Sequence, residues 1–578
     1  MKNILPVLLF AILITACSKN STGSNSPITY GSNFLSLSTD KAVYKPGETV
    51  FFKLNELPPA AFVRYRSLND IISDVPLANA SWNWQPPATD FRGYMIEVYT
   101  KENGTEKTQA SIAVDVSSNW AKFPRYGFLS EYGQKSPAEM DAVIAMLTRS
   151  HVNGVQFYDW QDKHHRPLAG TVAAPAGNWL DIASRPTYRA TVAAYIQKCH
   201  QAGMQAMFYN LCYGALDDGD ADGVQPQWYM YDDTTHNQRD RFTLSTPFKS
   251  NIYFLDPSNT AWQQYLANRN NDVYQVFDFD GFHVDQVGER QTVYNYNGNT
   301  LNLGATFQPF LVAMKAAHPA KKLVMNAVNQ YGQQGSIGNA PVEFMYSEVW
   351  SGNESYKDLA TIIKNNAAWS SGKSTVLTAY MNYNKANSRG TFNTAGVLLT
   401  NAVIFAFGGS HLELGEHMLC KEYFPNNNLS MNEDLKKAII HYYDFLVGYE
   451  NILRDGGDFN TTDMVCTNGK MNLGNWPPEL GKVALQGKQV GVRRVFHFIN
   501  LANAINFDWR DTDGNQPVPD NILNASMELS YSGTASKLWV ASPDINGGIP
   551  KQIEFTQTGN KIKFTLPELK YWDMLVVE

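Results

Sequence analysis

Five cysteines in 578 residues, with no C-x-x-C pair among them, exclude a disulfide-stapled scaffold and a cysteine-rich zinc fold. Charged side chains supply only 17% of the chain, below the usual quarter, and nowhere do Lys and Arg gather into a basic stripe. At a formal net charge of −7 the chain lacks the footprint of a nucleic-acid binder, whose affinity rests on neutralised phosphates, so no nucleic-acid partner is expected. No apolar run reaches the roughly 18 residues that mark a membrane-spanning helix. Neither a G-x-S-x-G elbow nor a phosphate-binding P-loop is present, and no cofactor is expected. Aromatic residues, by contrast, are plentiful at 13%, with 13 Trp and 30 Tyr, and their flat apolar faces with polar tips suit stacking on sugar rings. The length and the 44% hydrophobic content predict about two to four folded units, each burying its own core.

The chain opens with Met1-Lys2-Asn3 and the apolar run Ile4 to Ile14, the charged start and short apolar core of an export signal. That run ends in Ile14-Thr15-Ala16-Cys17, the pattern of a bacterial lipobox, so Cys17 is expected to carry a lipid. An ordinary signal peptide with an incidental Cys17 is the other reading. Residues 1–16 are then the leader and 17–33 a flexible tether rich in Ser and Asn. The expected location is the bacterial cell envelope, with the outer membrane held through the N-terminal lipid.

Residues 34–118 show short alternating runs such as Gly93-Tyr94-Met95-Ile96-Glu97-Val98-Tyr99, broken by turns such as Lys45-Pro46-Gly47-Glu48, which predicts an immunoglobulin-like β-sandwich. Across 119–456 short apolar strands alternate with helical patterns. Strands are expected near Tyr126–Leu129, Gly154–Asp159, Gln205–Asn210, Gly281–Asp285, Leu323–Asn326, Glu343–Glu348, Val376–Met381 and His411–Leu414. Eight such repeats fit a (β/α)8 TIM barrel, whose active site lies at the C-terminal ends of its strands. Residues 457–578 return to short strands, including Val490–Ile499, Ser536–Ala541, Gln552–Thr556 and Lys561–Thr565, and predict a second β-sandwich. The fold class is therefore multidomain, a central barrel flanked by two sandwiches.

On a barrel, chemistry is sought at strand ends. The fourth strand ends on Asp285 and the sixth on Glu348, which sets two carboxyl groups across one barrel mouth. Two facing carboxyl groups are the equipment of glycoside hydrolysis, one attacking or activating water and the other protonating the leaving oxygen. After the second strand, Asp159 is a candidate anchor for sugar hydroxyls, Trp160 a stacking surface and Lys163 a partner for a neighbouring carboxylate; a salt-bridged loop acid and a packed Trp are the plainer reading. No metal is expected: His164-His165 are adjacent and lack a third ligand, and Asp218-Gly219-Asp220-Ala221-Asp222-Gly223 begins like a calcium loop but has Tyr229 where the twelfth-position Glu belongs.

Three stretches together resemble glycoside hydrolase family 66, the bacterial dextranases and cycloisomaltooligosaccharide glucanotransferases. They are Asn153 to Trp160 with Lys163-His164-His165-Arg166-Pro167-Leu168, Gly281 to Gly288, and Tyr346-Ser347-Glu348-Val349-Trp350; Asp40 to Gly47 resembles the family's N-terminal region. The resemblance implies α-1,6-glucan (dextran and isomaltooligosaccharides) as substrate and a retaining double displacement, with Asp285 as nucleophile and Glu348 as general acid/base. It makes Asp159 a third essential carboxylate. Within and beside the matching stretches, Tyr158, Trp160, Lys163, His164, His283, Gln286, Asn326 and Trp350 become candidate substrate-binding residues. Cyclising members of the family usually carry an inserted carbohydrate-binding module, for which this barrel has no room, so plain endo-hydrolysis is expected. The alternatives are a cyclising or transglucosylating enzyme and a glycan-binding lipoprotein without turnover.

Overall fold

The computed structural model describes residues 35–578; the leader, Cys17 and the tether lie outside the described residues. At its centre is an eight-stranded parallel sheet rolled into a TIM-like barrel. Its strands are β1 (Tyr126–Leu129), β2 (Gly154–Phe157), β3 (Gln205–Leu211), β4 (Gly281–Asp285), β5 (Lys322–Val328), β6 (Met345–Glu348), β7 (Thr375–Thr378) and β8 (Ser410–His411), hydrogen-bonded in chain order. Helices α1 (Pro137–Arg149), α2 (Arg189–Gln201), α3 (Thr260–Val276), α4 (Leu303–Ala317), α5 (Tyr356–Trp369), α6 (Thr394–Ala406) and α7 (Glu433–Gly448) follow seven of the strands. Between β5 and β6 the described residues hold only a 3-10 turn, Ile337–Asn339. Helix starts follow local chemistry: Ser136 and Glu139 form a capping box at α1, with Pro137 in the first turn.

Two separate apolar clusters follow from the period-two alternation of the strands. Tyr126, Met207, Val324, Tyr346 and Val376 point inward and fill the barrel. Their outward neighbours, among them Phe157, Phe208, Phe282, Met325 and Leu377, pack against the helices. Trp160 belongs to this second cluster. It is fully buried against Phe208, Phe277 and Phe279, so the expectation that it stacks on sugar is corrected: no face of the indole is left for a ligand.

The β8–β1 seam is closed differently from the other seven. Phe128 N–H donates to the Leu414 carbonyl at 3.1 Å, and the next two donors, Ser130 N–H and Glu131 N–H, are taken by the Glu416 side chain at 2.9 and 3.1 Å. A carboxylate here stands in for strand backbone.

Before the barrel, a three-stranded antiparallel sheet (Leu37–Thr39, Val50–Leu54, Ser81–Trp84) and a four-stranded one (Phe62–Ser67, Asp70–Pro76, Arg92–Glu102, Thr105–Val116) share a core that includes Phe52, Tyr65, Ile96 and Ile112. After it, a seven-stranded and a four-stranded sheet enclose a core with Phe496, Met527, Phe564 and Leu575. The expected strand Val490–Ile499 is two strands, Val483–Val490 and Arg493–Ile499, because Gly491 at φ +57° turns the chain between them. Residues 500–521, linking Arg493–Ile499 to Ile522–Ser530, return to the barrel mouth, where Tyr356 N–H donates to the Phe507 carbonyl and Asn382 N–H to the Arg510 carbonyl.

Candidate active site

Asp285 ends β4 and Glu348 ends β6, both on the inward-facing register, so the alternation of the strands delivers the two carboxyl groups to one cavity. Between them stands Asn326 of β5. Its amide nitrogen donates to Asp285 Oδ1 at 2.9 Å and to Glu348 Oε2 at 2.8 Å. A phenol holds each remaining oxygen: Tyr209 of β3 donates to Asp285 Oδ2 at 2.7 Å, and Tyr380, beyond β7, donates to Glu348 Oε1 at 2.6 Å. Gln286 N–H adds a third donor to Asp285, on Oδ1 at 2.8 Å.

Electrostatics separate the two acids. Burial raises Asp285, while the hydrogen bonds from Tyr209, Asn326 and Gln286 N–H pull it back towards the ionised form. Burial and then the charge of Asp285 raise Glu348 to about 7. Tyr209 and Tyr380 are themselves pushed up, first by burial and then by the carboxylate each one holds, which keeps them protonated donors. Asp159 follows β2 in a left-handed conformation, φ +47°, rare for a side chain other than Gly and a form of strain that clusters at functional sites. Burial raises it to about 7, Arg185 opposes that, and Asp181 and Asp285 add to it; Asp159 Oδ1 is buried with no protein partner.

The remaining candidates fall into three groups. Tyr158 and Trp350 line the mouth: Tyr158 stacks on Phe424 at 4.3 Å, and Trp350 lies against Tyr380 and Tyr383 at 5.4 and 6.0 Å. His283 sits beneath, its ring parallel to Tyr126 and Tyr209 and its pKa lowered to about 3 by burial, so it is a neutral floor that sets the Tyr209 ring and does not reach a ligand. The Gln286 side chain is likewise spent internally, on Gly288 N–H and the Asn326 carbonyl, and only its backbone serves the site. Lys163 and His164 lie outside the barrel wall. Lys163 bonds Asp218 and Asp222, and His164 is buried against Asn210, whose position on β3 points away from the interior. For Lys163 and His164 the cause is local: beyond β2 the chain leaves the mouth and packs into the layer of helices and loops.

Asp222 also contacts His165 at 2.9 Å and Arg166 at 2.6 Å. His165, Asp218 and Asp222 form a group close enough to hold a metal ion among the described residues, but the ammonium of Lys163 already bridges the two carboxylates. Tyr229, the residue in place of the twelfth-position Glu, donates to Asp220 at 2.9 Å.

Tyr209 and Tyr380 were absent from the sequence expectations. The first was legible, since it shares the inward register with Met207 on β3 and precedes the strand end. Tyr380 lies two residues past the end of β7, where the same alternation continues.

The cycloisomaltooligosaccharide glucanotransferase of Niallia circulans is 27% identical over 740 residues, covering 100% of this chain and 75% of its own length. A dextranase of Streptococcus salivarius is 23% identical over 573 residues, covering 85% of this chain and 68% of its own. The crystal structure of a Paenibacillus sp. cycloisomaltooligosaccharide glucanotransferase complexed with cycloisomaltoheptaose is similar at a TM-score of 0.85 and 26% identity, over 94% of this chain and 99% of that one. Residues 39–576 match the family described as Glycosyl hydrolase family 66, and the chain belongs to that family.

Proposed function

We propose that this protein is a retaining endo-dextranase that hydrolyses α-1,6-glucosidic bonds and releases isomaltooligosaccharides. The observation that carries the reading is the single amide of Asn326 touching both acids. Their facing oxygens are no further apart than two hydrogen bonds laid end to end, which is short of the gap of about 6.5–9.5 Å that inverting enzymes keep for water. Asp285, ionised and fixed by three donors, attacks the anomeric carbon while Glu348, protonated near neutral pH, gives its proton to the departing oxygen. The glycosyl ester removes the charge on Asp285, so the main electrostatic support for a proton on Glu348 disappears. Glu348 then accepts a proton from the water that splits the ester, and the configuration is retained.

Dextran as substrate rests on family membership and on the name of the Streptococcus salivarius relative. Cyclising transglucosylation is the second reading, favoured by the names of the Niallia circulans and Paenibacillus relatives. Against it, the longest connection between a barrel strand and its helix, residues 212–259, holds short strands (Gly214–Ala215, Arg241–Phe242, Ile252–Phe254), so no connection within the barrel is long enough for a domain-sized inserted module. Incubating the protein with dextran, pullulan and starch tests the reading. New reducing ends from dextran, first seen as the α-anomer by NMR, are expected. Products one water lighter would instead establish cyclisation, and bound but uncut dextran would establish a glycan-binding protein.

The envelope location rests on Ile14-Thr15-Ala16-Cys17 alone. Lipidation there is expected to hold the enzyme in the membrane fraction, and Cys17→Ser to release it; retention of the Ser variant would reject the anchor.

A further inference from the structure

We propose that Arg510, carried on the C-terminal part of the chain, is a positioning residue for the general acid/base and for the leaving-group side of the cleft. The inference rests on the assignment of Glu348 as acid/base. The guanidinium donates to the Val349 carbonyl at 2.9 Å and to the Tyr380 carbonyl at 3.1 Å. Those two peptides adjoin the acid/base from both sides: Val349 follows Glu348 directly, and Tyr380 donates its phenol to Glu348 Oε1. One rigid fork thus couples the end of β6 to the loop after β7, a bidentate task that suits Arg and not Lys. The same guanidinium lies 5.4 Å from the Trp350 ring, 5.2 Å from Tyr383 and 4.6 Å from Trp509, so it also backs the aromatic wall beside Glu348. Because Glu348 protonates the leaving oxygen, that wall faces the departing sugar.

The loop bearing Arg510 is built into the barrel mouth and not draped over it. Trp509, 1% exposed, donates its indole N–H to the Asn353 carbonyl at 2.6 Å, and its own carbonyl accepts from Thr400 at 2.6 Å. Asn382 N–H bonds the Arg510 carbonyl at 2.8 Å, and Tyr356 N–H bonds the Phe507 carbonyl at 3.0 Å. Asp511 accepts from Asn393 at 2.7 Å as well as from two N–H groups of its own loop. The loops after β6 and β7 therefore obtain part of their backbone pairing from outside the barrel, and the active site is complete only with the C-terminal part in place.

The test compares substrates that do and do not need the proton. Dextran has a poor leaving group, whereas α-isomaltotriosyl fluoride releases fluoride without acid help. In Arg510→Lys, kcat/KM on dextran is expected to fall about tenfold or more, a share of the 10²–10⁴ that general acid catalysis supplies, with the fluoride reaction within about threefold of the parent. The basic limb of the dextran profile is expected to move, since it reports Glu348. Arg510→Gln keeps one donor arm but loses the charge that backs the rings, so its dextran rate should fall below that of Arg510→Lys. Melting temperatures identify any loss of folded protein. Equal losses on both substrates with an unmoved basic limb, or an unchanged dextran rate, would overturn the proposal. Glu348→Gln, run in parallel and compared on kcat/KM, which reports glycosylation and not the later water step that also needs Glu348, should show the same split more strongly; equal loss of kcat/KM on both substrates there would overturn the acid/base assignment itself, whatever Arg510 does.

Discussion

At the scale of single residues, the site is a symmetric arrangement around Asn326, with one carboxyl, one phenol and one arm of the amide on each side. What makes the two acids unequal is charge order: whichever ionises first raises the other, and the backbone donor from Gln286 favours Asp285. Glu348 therefore holds its proton up to about 7. An unfolded Glu releases its proton near 4.3, so the folded state binds this proton more tightly, and stability is lost as pH climbs from the unfolded value through the folded one. Removing the titratable group should recover that loss. Glu348→Gln is expected to gain on the parent by up to about 3 kcal/mol between pH 4.5 and pH 8, at about 1.4 kcal/mol for each pH unit separating the unfolded and folded values. Urea unfolding at the two pH values reads this directly, and because the amide's altered hydrogen bonding is common to both, the difference isolates the proton. A parent-to-variant gap that stays constant with pH would show that Glu348 is not raised.

At the scale of elements, what was legible in the sequence follows from where a period-two pattern holds. Gly281 to Asp285 and Met345 to Glu348 sit inside regular strands, so alternation and strand length suffice to place their terminal acids at the mouth. The pattern fails two residues after β2, where Asp159 takes a left-handed turn and carries Trp160, Lys163 and His164 out of the mouth. A family motif continues through that turn, but side-chain direction does not. Arg510 was illegible for a different reason: its contacts are with residues about 130 to 160 positions away in sequence. The β8–β1 seam was hidden too, since a side chain replaces strand pairing there. Its test follows from counting acceptors. Glu416→Ala leaves Ser130 N–H and Glu131 N–H without their partner and should cost about 1–3 kcal/mol, whereas Glu416→Gln keeps a carbonyl oxygen where Oε1 now accepts from both and should cost less than half as much. Thermal unfolding of the two variants separates them; equal losses would mean that the seam depends on the shape of the side chain and not on its acceptor.

At the scale of the whole molecule, the barrel is fastened on both flanks by buried polar contacts. On the C-terminal flank the loop of residues 500–521 enters the mouth. On the N-terminal flank Asp444 of α7 is the tie: it accepts from both guanidinium arms of Arg149 at the end of α1, each at 2.8 Å, from His151 at 2.8 Å, and from Ala113 N–H of the N-terminal sheet at 3.0 Å. Burial alone would raise this carboxyl, but Arg149 and His151 outweigh it and hold Asp444 well below the ordinary carboxylate range. A depressed folded pKa contributes stability that is present above the unfolded value of about 3.9 and lost as pH falls through the folded one. Asp444→Ala abandons Arg149, 7% exposed, without this partner and is expected to cost about 3–5 kcal/mol at neutral pH, as breaking a buried pair does. Asp444→Asn keeps one acceptor oxygen and should cost less, with a deficit against the parent that narrows below about pH 4, as protonation begins to remove the parent's own advantage. Because the tie joins three parts of the chain, the loss should be felt by all of them together. Hydrogen exchange should speed up in the strand Thr105–Val116 as well as in α1 and α7, while the proposed dextran cleavage persists at low temperature, since Asp444 contacts Ala113, Arg149 and His151 and no residue of the mouth. A deficit in Asp444→Asn that stays the same from pH 7 to pH 3 would show that the carboxylate charge is not what fastens the N-terminal sheet to the barrel.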